Sequence, residues 1–464
     1  MSDQLLESVR DARPELPAGA LSPDGAEGRA VLERVLAGRP RRRRRFGWRR
    51  ALGGAPVALA IGATVVVAAV AVVTLRGHAT AGPAGFGGHG ARGEILDRDG
   101  EVLSPGLGVQ AGLEAYYGAE LKRGDTLRTS LDAALERTGQ RALRHAIGAD
   151  PPANGGAFVA LDPQTGAVDA IGSIPNSATE SAGPVGSTFT PITAIAALGD
   201  GAWSAGQVYD DTGQFCFEGQ CRHNSGRAVD GVLDVQSALK VGSEDFFDNL
   251  GALTSSNGAL EGWARAFGIG TATGVDLPRE NPGTLPTVGR PGDTINLAVG
   301  QGDVEITPLQ LAVAYAAIEN GGTIVRPHLG LTLERPDGWV HGAIPPPVRH
   351  LNIDPLYLEL IRQGLRAATS QAGGTSADVF GGFPEQVYGE TGTAQYFSEG
   401  AKQDYAWYAG FVPGTATAKP IVVVVTVARG GFGDVAAAPV ARQMLSQWFF
   451  GQPGPWVTGT SQTL

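Results

Sequence analysis

Gly389-Glu390-Thr391-Gly392-Thr393 and, well upstream, Gly186-Ser187-Thr188-Phe189-Thr190 are the two stretches on which the reading of this chain turns. The second opens an apolar helix that continues through Ile192 to Leu198. Ser187 stands at its start, where a serine either caps backbone N–H groups or offers a hydroxyl for chemistry. In the first stretch a carboxylate sits among small residues. Glu390 reads as a solvated strand-edge group, or as the partner of an arginine.

Around these two stretches lie the elements that would carry them. Gly156 to Ile174 reads as a hairpin turning at Asp162-Pro163-Gln164-Thr165-Gly166. Asp132 to Ile147 has the spacing of an amphipathic helix, with Asp132 as its cap. Thr307 to Ile318 is an apolar helix with Pro308 in its first turn. Ile421 to Val427 is almost wholly β-branched and reads as a buried central strand, and Val440 to Phe450 as a last helix packed on the sheet. The expected fold class is α/β (α+β): one antiparallel sheet built from both ends of the chain and flanked by helices, with a helical subdomain inserted between.

The chain has 464 residues, 42% of them hydrophobic, enough for a large core, and a net charge of −10 that argues against a nucleic-acid-binding body. Its charge is uneven. Eight arginines fall between Arg39 and Arg50, and Ala51 to Leu75 then carries none. As a helix this second stretch would run roughly 37 Å, longer than the ~30 Å hydrocarbon core of a bilayer. Arginines on that side place the N-terminus in the cytoplasm. The expected division is a cytoplasmic 1–50, a single membrane span at 51–75, a linker and reduced segment at 76–125, the main domain at 126–452 outside the cytoplasm, and a flexible tail at 453–464. The expected location is the plasma membrane. The two cysteines, Cys216 and Cys221, flank a four-residue turn, and a disulfide suits that compartment. A metal would need more ligands than these and His223, so no metal is expected. No cofactor is expected either: Gly268-Ile269-Gly270 with Gly274 has the wrong spacing for a dinucleotide loop.

Five stretches in order resemble the transpeptidase domain of the class B-like penicillin-binding proteins. They are Gly186-Ser187-Thr188-Phe189, Ser237-Ala238-Leu239 leading into Gly242-Ser243-Glu244, Phe267-Gly268-Ile269-Gly270 with Gly274-Val275-Asp276-Leu277-Pro278, Gly300-Gln301-Gly302 with Thr307-Pro308-Leu309-Gln310, and Gly392-Thr393-Ala394-Gln395 before Ala406-Trp407. Arg92-Gly93-Glu94-Ile95-Leu96-Asp97-Arg98-Asp99-Gly100 resembles the juxtamembrane segment of the same proteins, followed here by only a stub of their pedestal, around Gly112-Leu113-Glu114. The resemblance implies a penicillin-recognising serine transpeptidase fold, Ser187 as the nucleophile position, and an oxyanion hole from the N–H groups of Ser187 and Thr393.

The chain departs from that family's pattern at all three motifs. Where the family has S-x-x-K, the lysine is Thr190. Its serine–asparagine pair falls on Gly242 and Glu244, around Ser243. Where it has K-T-G, the lysine is Glu390, ahead of Thr391 and Gly392. A literal Ser255-Ser256-Asn257 lies out of register. Loss of a general base typically costs ~10²–10⁴-fold, and a carboxylate in place of an ammonium turns attraction for a substrate carboxylate into repulsion. Lys240 is the one lysine positioned to substitute. The expectation is therefore a catalytically inactive pseudotranspeptidase, binding cell-wall synthesis or division proteins or peptidoglycan peptides. The alternative is an active serine D,D-transpeptidase or carboxypeptidase with Lys240, Glu244 or Glu390 as its base.

Overall fold

The computed structural model describes residues 92–103, 109–149, 152–175, 178–287, 290–398 and 401–461. The expected cytoplasmic segment and the span Ala51 to Leu75 lie outside them. Among the described residues no helix is long and apolar enough to cross a membrane.

Strands β1 (Gly155–Leu161), β2 (Val168–Ile174), β3 (Tyr388–Ser398), β4 (Ala401–Val412) and β5 (Ile421–Ala428) form one sheet in the order β3-β4-β5-β1-β2. Each pair of neighbours is antiparallel. The centre of the sheet is the β-branched run Ile421-Val422-Val423-Val424-Val425, buried on both faces. Side chains alternate along a strand, so one sequence of valines serves two cores. Val423, Val425 and Val427 pack with Phe158, Ala160 and Tyr408 against helices α1 (Ala133–Ala149) and, at the chain's end, Gly433–Phe450. Val422 and Val424 pack with Val159, Leu161, Trp407, Ala409 and Phe411 on the other face.

That second face carries the helical region. Its elements are α2 (Thr190–Gly199), α3 (Val235–Val241), α4 (Glu244–Thr254), α5 (Pro308–Asn320) and α6 (Pro355–Ser370). Helix α5 starts at a capping box between Thr307 and Gln310, with Pro308 in its first turn. It is buried almost all round, which is why its apolar pattern is continuous rather than striped. The final helix, Gly433–Phe450, is α7.

The Arg92–Gly100 segment is fastened to this body. Ile95 and Leu96 pair in parallel with Leu127 and Arg128. The chain then turns at Asp97, whose carboxylate accepts from the N–H groups of Asp99 and Glu101, and returns at Val102. Arg98 pairs with Asp132 at 2.8 Å and with Asp169 at 3.5 Å, joining the segment to the start of α1 and to β2. The stub that follows is two short helices, Gln110–Tyr116 and Gly118–Lys122.

Residues 453–461, expected as a flexible tail, are instead held against α7. Gln443 donates to the carbonyls of Gly454 and Pro455, Thr460 donates to Asp378, and Trp456 packs edge-on against His145. Composition suggested a free tail because the anchors are backbone carbonyls and one tryptophan. The expected disulfide joins Cys216 to Cys221, directly opposite each other in the hairpin of Gln214–Phe217 and Gln220–His223. Its turn residues Glu218 and Gly219 both have positive φ.

Candidate active site

The turn holding Ser187 is shaped by the glycine before it. Gly186 has φ +59°, and a Cβ there would lie 2.9 Å from the backbone of Thr393. No side chain fits, so the turn lies directly on β3. The N–H groups of Val185 and Gly186 both donate to the carbonyl of Gly300, and Thr188 is held from below by the Tyr315 hydroxyl, 2.9 Å from its carbonyl. A short 3₁₀ turn, Gly186–Phe189, then leads into α2.

Ser187 is half-buried, and no hydrogen-bond partner of its Oγ is found among the described residues. Thr190 is buried, and its hydroxyl donates to the Ser187 carbonyl at 2.8 Å, the back-bond to residue i−3 that a threonine makes within a helical turn. It is thus turned to the backbone of Ser187 rather than to its hydroxyl.

Strand β3 is the edge of the sheet. Tyr388, Glu390, Gly392 and Ala394 face the helical region. The N–H and C=O groups of the odd-numbered residues point to the open edge. There Gln301 acts as a short partner strand: its amide donates to the Thr393 carbonyl and accepts from the Gln395 N–H, both at 3.1 Å. The Gly300-Gln301-Gly302 pattern marked this residue in the sequence, but nothing there gave it a task. Thr393 turns its own N–H to the same edge, beside Gly186.

Glu390 is neither solvated nor paired with an arginine. It is fully buried. One carboxyl oxygen accepts from the Thr375 hydroxyl and from the Thr391 N–H, both at 3.1 Å, and the other has no hydrogen-bond partner among the described residues. Burial pushes its carboxyl well above the usual range, against the two hydrogen bonds that favour the ionised form. Burial thus favours the neutral acid over the carboxylate. The carboxyl is turned into the protein against Thr375 and the Thr391 N–H, not out to a solvated strand edge.

The second motif is recast in the same way. Gly242 ends α3 in the left-handed conformation, and Ser243 caps α4 by accepting from the Phe246 N–H. The Ser243 hydroxyl is buried and donates to Asp211. A Cβ on Gly242 would meet the Thr375 methyl at 3.0 Å. Thr375 therefore touches both altered motifs, and its N–H also donates to the Lys240 carbonyl. No sequence pattern pointed to it. The Lys240 side chain lines a separate cleft between α3 and α6, of which Ser187 is not a wall. Asn257 of the out-of-register triplet bonds Asp200, at the far end of α2 from Ser187.

Beside the nucleophile turn, reaching it at Pro184, lies a groove of about 930 Å³ walled also by Glu244, Gln301, Gln395, Asn296 and the disulfide hairpin; Ser187 is not itself one of its walls. Arg222 of that hairpin is fixed by Asp248 at 3.1 Å and by Asn296 at 2.7 Å. Burial lifts the Asp248 carboxyl to about 8, with Arg222 pulling it the other way. The site thus offers a hydroxyl at a helix start, an edge strand with outward backbone donors, and an open groove large enough for a peptide.

A serine at the start of a buried helix, set against the edge strand of a five-stranded antiparallel sheet, defines the class of serine acyl-transfer folds that bind penicillin. Residues 156–446 match the model of the penicillin binding protein transpeptidase domain, and the chain belongs to that family. The chain is 28% identical over 298 residues to the peptidoglycan D,D-transpeptidase MrdA of Haemophilus influenzae, covering 58% of this chain and 45% of that protein. It is 26% identical over 403 residues to the peptidoglycan D,D-transpeptidase PbpA of Mycobacterium tuberculosis, covering 74% and 76%. The chain spans about half the length of the first of these relatives. Among solved structures it resembles Pseudomonas aeruginosa PBP2 in complex with WCK 5153, with 25% identity, a TM-score of 0.67 and coverage of 79% and 98%. It also resembles a chain of a peptidoglycan synthase complex, with 28% identity, a TM-score of 0.66 and coverage of 73% and 70%.

Proposed function

We propose that this chain acts in peptidoglycan assembly as a serine D,D-acyl-transfer protein, with the Ser187 groove as its peptide site and with a rate held down by the missing base. The family and the relatives named as D,D-transpeptidases support the reaction class. The observation that supports the assignment to this region is the close approach of the Gly186 turn to the Thr393 backbone, which suits an oxyanion hole drawn from the N–H groups of Ser187 and Thr393. In the step, Ser187 Oγ forms a bond to the peptide carbonyl carbon and the C–N bond to the terminal residue breaks. The serine proton passes to the leaving amine through water in the groove, since among the described residues no side-chain amine is bonded to Ser187. Glu390, buried and held by the Thr375 hydroxyl, is given no part in the proton transfer. The arginine-rich segment and the apolar run Ala51 to Leu75 support a single membrane anchor, with the domain outside the cytoplasm.

One observation favours a second reading, a groove that binds peptide stems or synthesis partners without acylation: the Thr190 hydroxyl is committed to the Ser187 carbonyl. Incubation with a fluorescent penicillin separates the two. Slow covalent label that disappears in Ser187→Ala supports acyl transfer. Absence of label over hours, in protein that melts cooperatively, overturns it in favour of the binding role.

A further inference from the structure

The cleft that holds Lys240 is separate from the Ser187 groove and encloses about 770 Å³ between α3, α6 and the start of β3, within the range of small-ligand sites. Its charges are not evenly committed. Each acidic wall residue is engaged: Asp234 caps α3, Glu319 accepts from Gln164, and Glu359 accepts from Gln363. Of its cations, Arg362 is bound to the carbonyls of Ile318 and Glu319. Lys240 and Arg366 line the same cleft, and neither side chain has an ion pair or hydrogen bond among the described residues. Asp230, which feels the charge of Lys240, lies beyond ion-pair distance. One wall is aromatic: Tyr388, half-exposed, stacks on the buried Phe411 at 5.1 Å with the rings 8° apart. Another is a chain of amides, in which Gln236 donates to Gln363 at 2.7 Å.

A flat half-exposed ring, amides that both donate and accept, and two uncommitted cations suit a hydroxyl-rich ligand bearing an anionic group. An apolar ligand would leave these groups desolvated and unpaired. We infer that this cleft binds an acidic saccharide, with the sugar face on Tyr388 and its carboxylate between Lys240 and Arg366. Resting on the peptidoglycan reading above, the saccharide class is the glycan strand stripped of its stem peptides, whose acidic sugars then carry free carboxylates. The cleft adjoins the altered motifs, because Thr375 bonds the Lys240 backbone on one side and Glu390 on the other.

The test is calorimetric titration of the full chain with the disaccharide N-acetylglucosaminyl-N-acetylmuramic acid, with neutral diacetylchitobiose and inorganic phosphate as the other arms. Saturable binding of the acidic disaccharide is expected, with chitobiose and phosphate each weaker. Lys240→Gln and Arg366→Gln, whose thermal midpoints should match the parent, are each expected to weaken it roughly tenfold to a hundredfold. Tyr388→Leu is expected to weaken both sugars. No saturable binding, equal binding of chitobiose, binding of phosphate as tight as that of the disaccharide, or indifference to both cation substitutions overturns the inference. Binding must also persist in Ser187→Ala and in the presence of penicillin. Displacement by penicillin would place the sugar in the Ser187 groove and overturn this cleft without touching the acyl-transfer reading, which stands or falls on covalent label.

Discussion

The hydroxyl of Thr375 donates to the buried carboxyl of Glu390 at 3.1 Å, while its methyl fills the space a side chain at position 242 would enter. One residue of a loop after α6 thereby joins the second and third motifs. Removing the hydroxyl leaves that carboxyl oxygen with only the Thr391 N–H. Thr375→Val should cost about 1–3 kcal/mol, the penalty for stripping a partner from a buried polar group. Urea unfolding at constant m measures it, and Thr375→Ser should recover most of the loss.

Burial favours the neutral form of the Glu390 carboxyl, so Glu390→Gln puts a neutral hydrogen-bonding group of nearly the same volume in its place. A loss of less than about 1.5 kcal/mol at pH 7 is expected, the scale of a nearly volume-conserving change. If the midpoint instead fell by several kcal/mol, the carboxyl would have to be ionised and paired in the native protein.

Other buried carboxyls give the whole domain a pH signature. Burial raises Glu136 from 4.5 to about 8, and Asp169 to about 8 despite Arg98. A carboxyl raised in the folded state binds its proton more tightly there than in the unfolded chain. The stability it confers is complete below the unfolded pKa and is lost as pH rises toward about 8. Unfolding free energy should therefore decline between about pH 4.5 and 8, by up to ~1.4 kcal/mol per pH unit for each such group. Glu136→Gln should flatten the decline, read from urea midpoints across the range.

Thr190→Lys puts an amine one helical turn from Ser187, on the same face. It should raise the rate of Ser187-dependent penicillin labelling by about 10²-fold or more. Glu390→Lys, added on top, has to bury its amine beneath Thr375, and the double variant should show a lower thermal midpoint than Thr190→Lys alone.

Gln301 holds the free edge of β3 through two backbone contacts. Gln301→Ala should cost about 1–2 kcal/mol in stability. It should also slow labelling more than it destabilises, because Thr393 carries one of the two proposed oxyanion donors. Equal labelling rates with and without the Gln301 amide would remove it from the positioning of the strand.

Much of the architecture was legible because it rests on local pattern. The β-branched run at Ile421 specified a central strand, Pro308 specified the start of α5, and the cysteine spacing specified the hairpin disulfide. The site was legible only as far as its motifs. The turn of Ser187 lies against the third-motif strand, but the environment of Glu390 is set by its burial and by Thr375, which reaches it from a loop fifteen residues upstream. Periodicity carries no trace of such a contact. The docked segment after Phe450 escaped notice for a related reason: its anchors are carbonyls and a glutamine, which composition does not distinguish from a solvated tail.

The pairing of Arg98 with Asp132 and Asp169 has a mechanical consequence. A pull applied at residue 92 runs through the Ile95–Leu127 ladder and the contacts of Arg98 directly into α1 and β2, the side of the sheet opposite β3. There is no slack in between to absorb it, so the domain is coupled to whatever holds its N-terminal end as a lever is to its pivot.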